Sequence, residues 1–298
     1  MTARLMALYW ALRLAGWVVR LLPLRVSYAL ARPAGMAAFY LWRGGRRRCI
    51  RNMLHVAASD ASLARRHARR SFAYYAAYLV DFLRFGALTP EELARIEFDD
   101  WSLLEGARTG NGIVFVTLHF GNWDLGAARI AERGIPLSVV ADTFGDRRLD
   151  ELVVGARERL GMHIIPATRI GTGIVRALRR NDVVALLIDV PQPESGVEVE
   201  FFGSTVAVPD GPARLALRTG APIVTGLLPR LAPDSDRFRG VMERVAFVPD
   251  GDRERDVREL TQVTMRSLER MLRRDPEQWY IFRTLWVEDS EAESEEAA

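Results

Sequence analysis

From Gly110 onward, short unbroken apolar runs alternate with longer stretches in which apolar residues return every three or four positions. The run 113–118, Ile-Val-Phe-Val-Thr-Leu, is β-branched and continuous, the pattern of a strand buried on both faces. A helix follows over 122–133, closed by Gly134, and 136–141 reads as the next strand. The pattern then predicts a helix over 147–160 stopped by Gly161, a strand at His163–Pro166, a helix over 171–180 and a strand over 183–189. Beyond these come a helix over 211–219 ending at Gly220, strands at 223–228 and 241–248, and a charged amphipathic helix over 253–274. This alternation predicts an α/β fold with a mostly parallel central sheet flanked by helices on both faces. In such sheets functional groups collect at the carboxyl ends of the strands.

The segment before Gly110 reads differently. Residues 60–85 predict a helix with Arg65, Arg66, Arg69 and Arg70 on one side and Phe72, Tyr75, Leu79 and Phe82 on another. After Thr89 and Pro90, Glu91 and Glu92 open a short helix. Residues 5–42 are apolar and aromatic but interrupted by Arg13, Arg20, Arg25 and Arg32. No uncharged run there reaches the ~18–20 residues that a spanning helix needs. The pattern suits a pair of amphipathic helices lying in a bilayer interface, with Trp10, Trp17, Tyr28, Tyr40 and Trp42 at interfacial depth. Three regions are expected: residues 1–52 as a membrane-associated helical region, 53–287 as the α/β domain, and 288–298 as a disordered acidic tail.

Charge sharpens this picture. All 41 basic residues are Arg and none is Lys. Residues 1–70 hold 14 Arg against one acid, Asp60, so a chain of net charge +3 carries a strongly basic amino-terminal block. Such a block implies an anionic partner. The aliphatic surface interleaved with the Arg, and the lack of any nucleic-acid motif, favour a membrane surface over nucleic acid. Cys49 is the sole cysteine and can form no internal disulfide. The chain thus needs no oxidising compartment, and the expected location is the cytoplasmic face of the cell (inner) membrane, peripheral or monotopic. No His pair has metal-ligand spacing, so no metal or other cofactor is expected.

The strand at 113–118 runs into His119-Phe120-Gly121-Asn122-Trp123-Asp124. His119 falls at a strand carboxyl end and Asp124 enters the next helix. A neutral imidazole can accept a hydroxyl proton near pH 7. Asp124 can hold one ring nitrogen as a donor and leave the other free. Arg147, Arg148 and Arg157 together could meet the phosphates of a donor or an acceptor head group. Phe201 and Phe202 suit either a lipid-channel wall or the core.

The spelling resembles the H-x4-D acyltransferases, and among them the bacterial lipid A biosynthesis acyltransferases and their phosphatidylinositol mannoside acyltransferase relatives. The likeness rests on H-F-G-N-W-D at 119–124, A-R-E-R-L-G at 156–161, G-V-E-V-E-F-F-G at 196–203, T-G-A-P at 219–222 and P-E-Q-W at 276–279. It implies acyl transfer from a thioester, acyl-CoA or acyl carrier protein, to a hydroxyl of a lipid or glycolipid. It implies His119 as general base, Asp124 as its partner, and Glu198, or Glu200 two residues on, as an acid near the histidine. Asn122, Asp142, Arg147, Arg157 and Phe202 become candidates for substrate contact. Relatives in the lipid A branch carry a basic run before a Trp where this chain has Phe282-Arg283-Thr284-Leu285-Trp286. The G-V-E-V-E-F-F-G segment leans toward the mannoside branch. Two other classes fit less of the sequence: a lipid ester or thioester hydrolase, for which no G-x-S-x-G elbow is present, and a non-catalytic membrane scaffold.

Overall fold

A computed structural model describes residues 3–141, 146–192 and 195–289. The chain opens with four helices, α1 (Ala3–Leu21), α2 (Leu24–Leu41), α3 (Arg43–Val56) and α4 (Ala61–Arg84), then the short α5 (Pro90–Ala94). There follow β1 (Glu97–Phe98), α6 (Ser102–Ala107), β2 (Ile113–Thr117), α7 (Trp123–Glu132), β3 (Leu137–Ala141), α8 (Arg147–Arg159), β4 (His163–Pro166), α9 (Ile170–Arg179) and β5 (Val183–Leu187). A hairpin of β6 (Val197–Phe201) and β7 (Ser204–Val208) precedes α10 (Gly211–Thr219), β8 (Ile223–Leu227), β9 (Arg239–Arg244) and α11 (Arg253–Leu272). Local chemistry sets several of these starts. The Asp60 carboxylate accepts from the N–H groups of Ser62 and Leu63 to cap α4, and Thr89 and Glu92 form a reciprocal capping box on α5.

Seven strands form one sheet in the order β1-β9-β8-β2-β5-β3-β4, with every neighbouring pair parallel except β8 and β9. Alternation along the strands explains the helices on both faces. Ile113, Phe115, Val183 and Val224 point into one apolar cluster, shared with Leu125 and Ile130 of α7 and Ala156 of α8. Val114, Val116, Val184 and Ile223 point into the other, shared with α9, α10 and α11 through Ile174, Ala213 and Leu268. That second cluster also takes Cys49 and Met53 of α3 and Phe72 of α4.

Three sequence expectations change in detail. The expected boundary at residue 52 falls inside α3, whose apolar side continues into the core of the sheet. The late strand starts at Arg239 and ends at Arg244, short of residue 248, because it pairs only as far as β8 allows. The acidic tail is anchored at its start, where Asp289 accepts from His55 Nε2 at 3.0 Å; residues 290–298 lie outside the described residues. The strand pair β6–β7 stands apart from the main sheet.

Among the described residues, no helix is long and apolar enough to cross a membrane. The first two helices nonetheless leave a large apolar surface uncovered. Trp10, Leu14, Trp17 and Leu21 on α1, and Val26, Leu30 and Leu41 on α2, are exposed. Helix α2 packs on α4 so closely at Gly35 that a Cβ there would lie 2.4 Å from the Phe72 carbonyl oxygen.

Candidate active site

The parallel register of β2 and β5 pairs Thr117 with Leu187. Two residues beyond each, the same register brings His119 and Asp189 together at the carboxyl end of the sheet. His119 Nδ1 lies 2.9 Å from Asp189 Oδ1. The other carboxylate oxygen accepts from the His119 backbone N–H at 2.9 Å and from Trp279 Nε1 at 2.8 Å. Asp189 is buried, whereas the His119 side chain is 33% exposed and open to a ligand.

Electrostatics fix the protonation of this pair. Burial pushes the Asp189 carboxyl up, but His119 and the other donors outweigh it and hold the pKa below the usual carboxylate range. Burial pushes His119 down, but the Asp189 charge and hydrogen bond push harder, so its pKa ends above the ordinary histidine value of 6.5. Because an ionised carboxylate only accepts, Nδ1 carries the ring proton in neutral His119. Nε2 is left with its lone pair, and no protein group among the described residues bonds to it.

The turn that carries His119 is held from both sides. Gly121 has φ +58°, and a Cβ there would lie 2.0 Å from the Leu228 carbonyl oxygen, so only glycine fits. Gly121 N–H donates to Gln278 O, Asn122 N–H to Leu228 O, and Tyr280 N–H to His119 O. The P-E-Q-W segment thus clamps the motif through its backbone and through the indole of Trp279.

Asp124 is not the ring's partner. Its Oδ1 accepts from Arg157 Nε at 2.7 Å, and its Oδ2 accepts from Arg157 Nη2 at 3.1 Å and from the Tyr78 hydroxyl at 2.8 Å. The reason is geometric: Asp124 sits in the first turn of α7, facing α4 and α8, while the site beside the imidazole is filled from β5. Asp124 still borders the same cavity, and its charge still favours the protonated form of His119. Tyr78 also stacks on Trp123 at 4.3 Å, and Trp123 meets His119 edge-on at 5.2 Å.

Other expected site residues separate. Asn122 caps α7, accepting from Leu125 N–H and donating to Asp81. Glu198 and Glu200 are exposed on one face of β6, and neither borders the cavity, because the strand period turns both outward while Val199 and Phe201 face the core. Phe202 is buried at the β6–β7 turn with Arg273 over its ring, away from the cavity lining. Arg147 is exposed at the start of α8. Asp142 lies outside the described residues.

A cavity of about 480 Å³ opens beside His119. Its mouth is polar, with His119, Asp124, Arg157 and Arg283. Inward it runs between the sheet and α7 along Phe115, Val139, Ala185, Ala127, Ile130 and Leu137. Size and lining suit one apolar chain with a polar end. Ala127→Leu would add about three carbons to the wall. The longest apolar chain that the cavity accepts is expected to shorten by about that length, as read from the binding of a series of n-alkyl chains; an unchanged limit would put the chain elsewhere.

A neutral histidine held by a buried carboxylate at the mouth of a chain-sized apolar cavity has the chemistry to accept a hydroxyl proton. Residues 2–288 match the family model of bacterial lipid A biosynthesis acyltransferases, and the chain belongs to that family. It is also similar to a protein of Mycolicibacterium smegmatis named phosphatidylinositol mannoside acyltransferase, 29% identical over 288 residues that span 92% of this chain and 90% of the relative. A protein of the same name from Mycobacterium tuberculosis (strain ATCC 25618 / H37Rv) is 27% identical over 291 residues, 92% of this chain and 87% of the relative.

Sequence reasoning missed Asp189, Arg283, Trp279 and Tyr78 as parts of this site. For Asp189 a signal existed: an acid two positions past the end of a strand, mirroring the histidine two positions past its neighbour.

Proposed function

We propose that the enzyme moves a fatty acyl chain from a thioester, acyl-CoA or acyl carrier protein, onto a hydroxyl of a phosphatidylinositol mannoside or lipid A-type glycolipid. The observation that carries this reading is the His119–Asp189 pair at the polar mouth of the apolar cavity. The names of the relatives support a mannoside acceptor. In the proposed reaction the acyl chain fills the cavity and the thioester carbonyl lies at its mouth. Nε2 takes the acceptor hydroxyl proton as the oxygen attacks the carbonyl carbon. The tetrahedral intermediate collapses to the ester and expels the thiolate, which takes the proton back from the imidazolium. No acyl-enzyme is required when both substrates are held together. Arg283, the cation that opposes protonation of His119, stands where it can offset negative charge on the carbonyl oxygen.

The exposed aromatic face of α1 and the adjoining Arg suit attachment to an anionic bilayer surface on its cytoplasmic side. Replacing Trp10 and Trp17 together by Ser is expected to reduce co-sedimentation with phosphatidylglycerol-containing vesicles about tenfold or more. Unchanged sedimentation would remove α1 as the attachment.

The reading is tested by incubating the enzyme with labelled acyl-CoA and phosphatidylinositol mannoside, with a lipid A precursor in parallel. Labelled acylated glycolipid is the expected product. Free fatty acid as the main product, with acceptor present, would instead support a hydrolase, and no transfer across an acceptor panel would support a scaffold.

A further inference from the structure

A second groove, of about 310 Å³, lies between α1, the end of α4 and α8. Its floor is apolar, with Leu12, Phe82, Leu83 and Leu152, and its rim carries Arg13, Arg20 and Arg159. Two of these guanidinium groups converge over Gly86, just past α4. A Cβ on Gly86 would lie 3.0 Å from Arg20 Nη2 and 3.8 Å from Arg159 Nη2. Among the described residues neither Arg20 nor Arg159 has a carboxylate partner. Each lies in the last turn of its helix, where the helix dipole favours a cation. That accounts for each one alone; both are exposed, so water screens much of the repulsion between two like charges turned toward one spot, and an anion seated between them would turn it into attraction.

We propose that Arg20 and Arg159 form a seat for a lipid phosphodiester, the one carried by the phosphoglycolipid acceptor; this rests on the acceptor class proposed above. Charge complementarity selects the phosphate, which guanidinium groups bind through paired N–H donors. The exposed Leu14, Trp17 and Leu21 of α1 continue outward from the groove and can take the acyl chains of the same lipid. The groove also adjoins the catalytic cavity. Phe82 lines the groove, and the Arg157 guanidinium of the cavity mouth lies 5.7 Å from the Phe82 ring centre. From Phe82 the ring contacts run to Tyr78 at 6.2 Å, on to Trp123 at 4.3 Å and to His119 at 5.2 Å. A phosphate seated here puts the head group beside the Phe82–Arg157 contact, next to the mouth of the catalytic cavity. The seat thus contributes to selecting an acceptor that carries a phosphodiester.

The test compares the full-length enzyme with Arg20→Gln/Arg159→Gln, which removes the charges, and Gly86→Leu, which fills the seat and keeps them. Arg176→Gln/Arg179→Gln, on α9 away from the groove, is the charge-matched control. Binding of dihexanoyl phosphatidylinositol below its micelle concentration is measured beside dihexanoylglycerol. The expected result is phosphate-dependent binding that weakens about tenfold in both seat variants and not in the control. With phosphatidylinositol mannoside in detergent micelles, KM is expected to rise about tenfold while kcat stays within twofold. Equal binding of the two probes, or seat variants that bind like wild type, would overturn the seat. Lost binding to phosphatidylglycerol vesicles with an unchanged micellar KM would overturn the acceptor assignment in favour of a general bilayer contact. Intact phosphatidylinositol binding by a wild-type enzyme that acylates no mannoside would count against the proposed acceptor and leave the phosphate seat standing.

Discussion

Asp189→Asn is expected to lower acyl transfer by on the order of 10³–10⁴ while leaving the fold intact. The loss follows from hydrogen-bond directions. Two fixed donors, the His119 backbone N–H and Trp279 Nε1–H, face one oxygen of the carboxylate. The amide of Asn must turn its oxygen to them, which places its NH₂ against His119 Nδ1. The ring then accepts at Nδ1 and carries its proton on Nε2, where the base is needed. His119→Ala should fall as far, since it removes the base itself, and the double variant should be no worse than either single one. The pH profile supplies a second readout. The base acts when neutral, and Asp189 holds its pKa above the ordinary histidine value, so wild-type kcat/KM rises with pH to a point above 6.5. In Asp189→Asn that limb moves to lower pH because the raising charge is gone. The same pair makes stability depend on pH at both ends. The contribution from His119 is fully present below the unfolded histidine pKa and is lost as pH rises through its raised folded value. The contribution from Asp189 is present above the unfolded carboxylate pKa and is lost as pH falls through its lowered folded value. Wild-type activity in Asp189→Asn, or an unmoved pH limb, would remove the pair from catalysis.

Asp124→Ala is expected to act on stability first. It strands the Arg157 guanidinium, 19% exposed, and the buried Tyr78 hydroxyl without their acceptor. Breaking a largely buried pair costs about 3–5 kcal/mol, which for a chain of this size lowers the melting temperature by roughly 10 °C. Replacing both partners, as Asp124→Leu with Arg157→Met, should recover most of the loss, because two apolar side chains leave no charge to desolvate. If Asp124 served only to orient the imidazole, Asp124→Ala would melt like wild type and lose only activity; calorimetry separates the two. The pair also sets the cavity mouth, so activity falls as well, but through misplacement of Trp123 and Arg157.

The sheet and most of its helices were legible because buried parallel strands announce themselves as unbroken apolar runs and their helices as three-to-four-residue periodicity. The position of His119 at a strand end followed from that alone. Its partner did not. Asp124 is near in sequence, and a turn of five residues invites pairing, whereas Asp189 is 70 residues away and reaches the ring through the register of β2 against β5. Glu198 illustrates the opposite error. Its motif suggested an acid near the base, but it alternates outward on a hairpin separate from the main sheet. Arg157 was legible as a motif residue, but its fork onto Asp124 needs α7 and α8 side by side. The second groove left no trace in the sequence pattern, since Arg20, Gly86 and Arg159 come from three distant segments.

The all-Arg composition has a chemical consequence for an enzyme that would handle activated acyl groups. A thioester acylates free amines and thiolates without catalysis, and a waiting acyl donor is a hazard to its own host. Here the chain contains no Lys, and the cationic groups at the cavity mouth, Arg157 and Arg283, are guanidinium groups that stay protonated and do not attack carbonyls. The one thiol, Cys49, is buried in the core and its pKa is pushed up to about 12 by that burial, so it offers no thiolate. A thioester held beside His119, as proposed, would meet no side-chain amine or thiolate of this chain. An acyl group held there would find no lysine amine and no thiolate of its host to acylate.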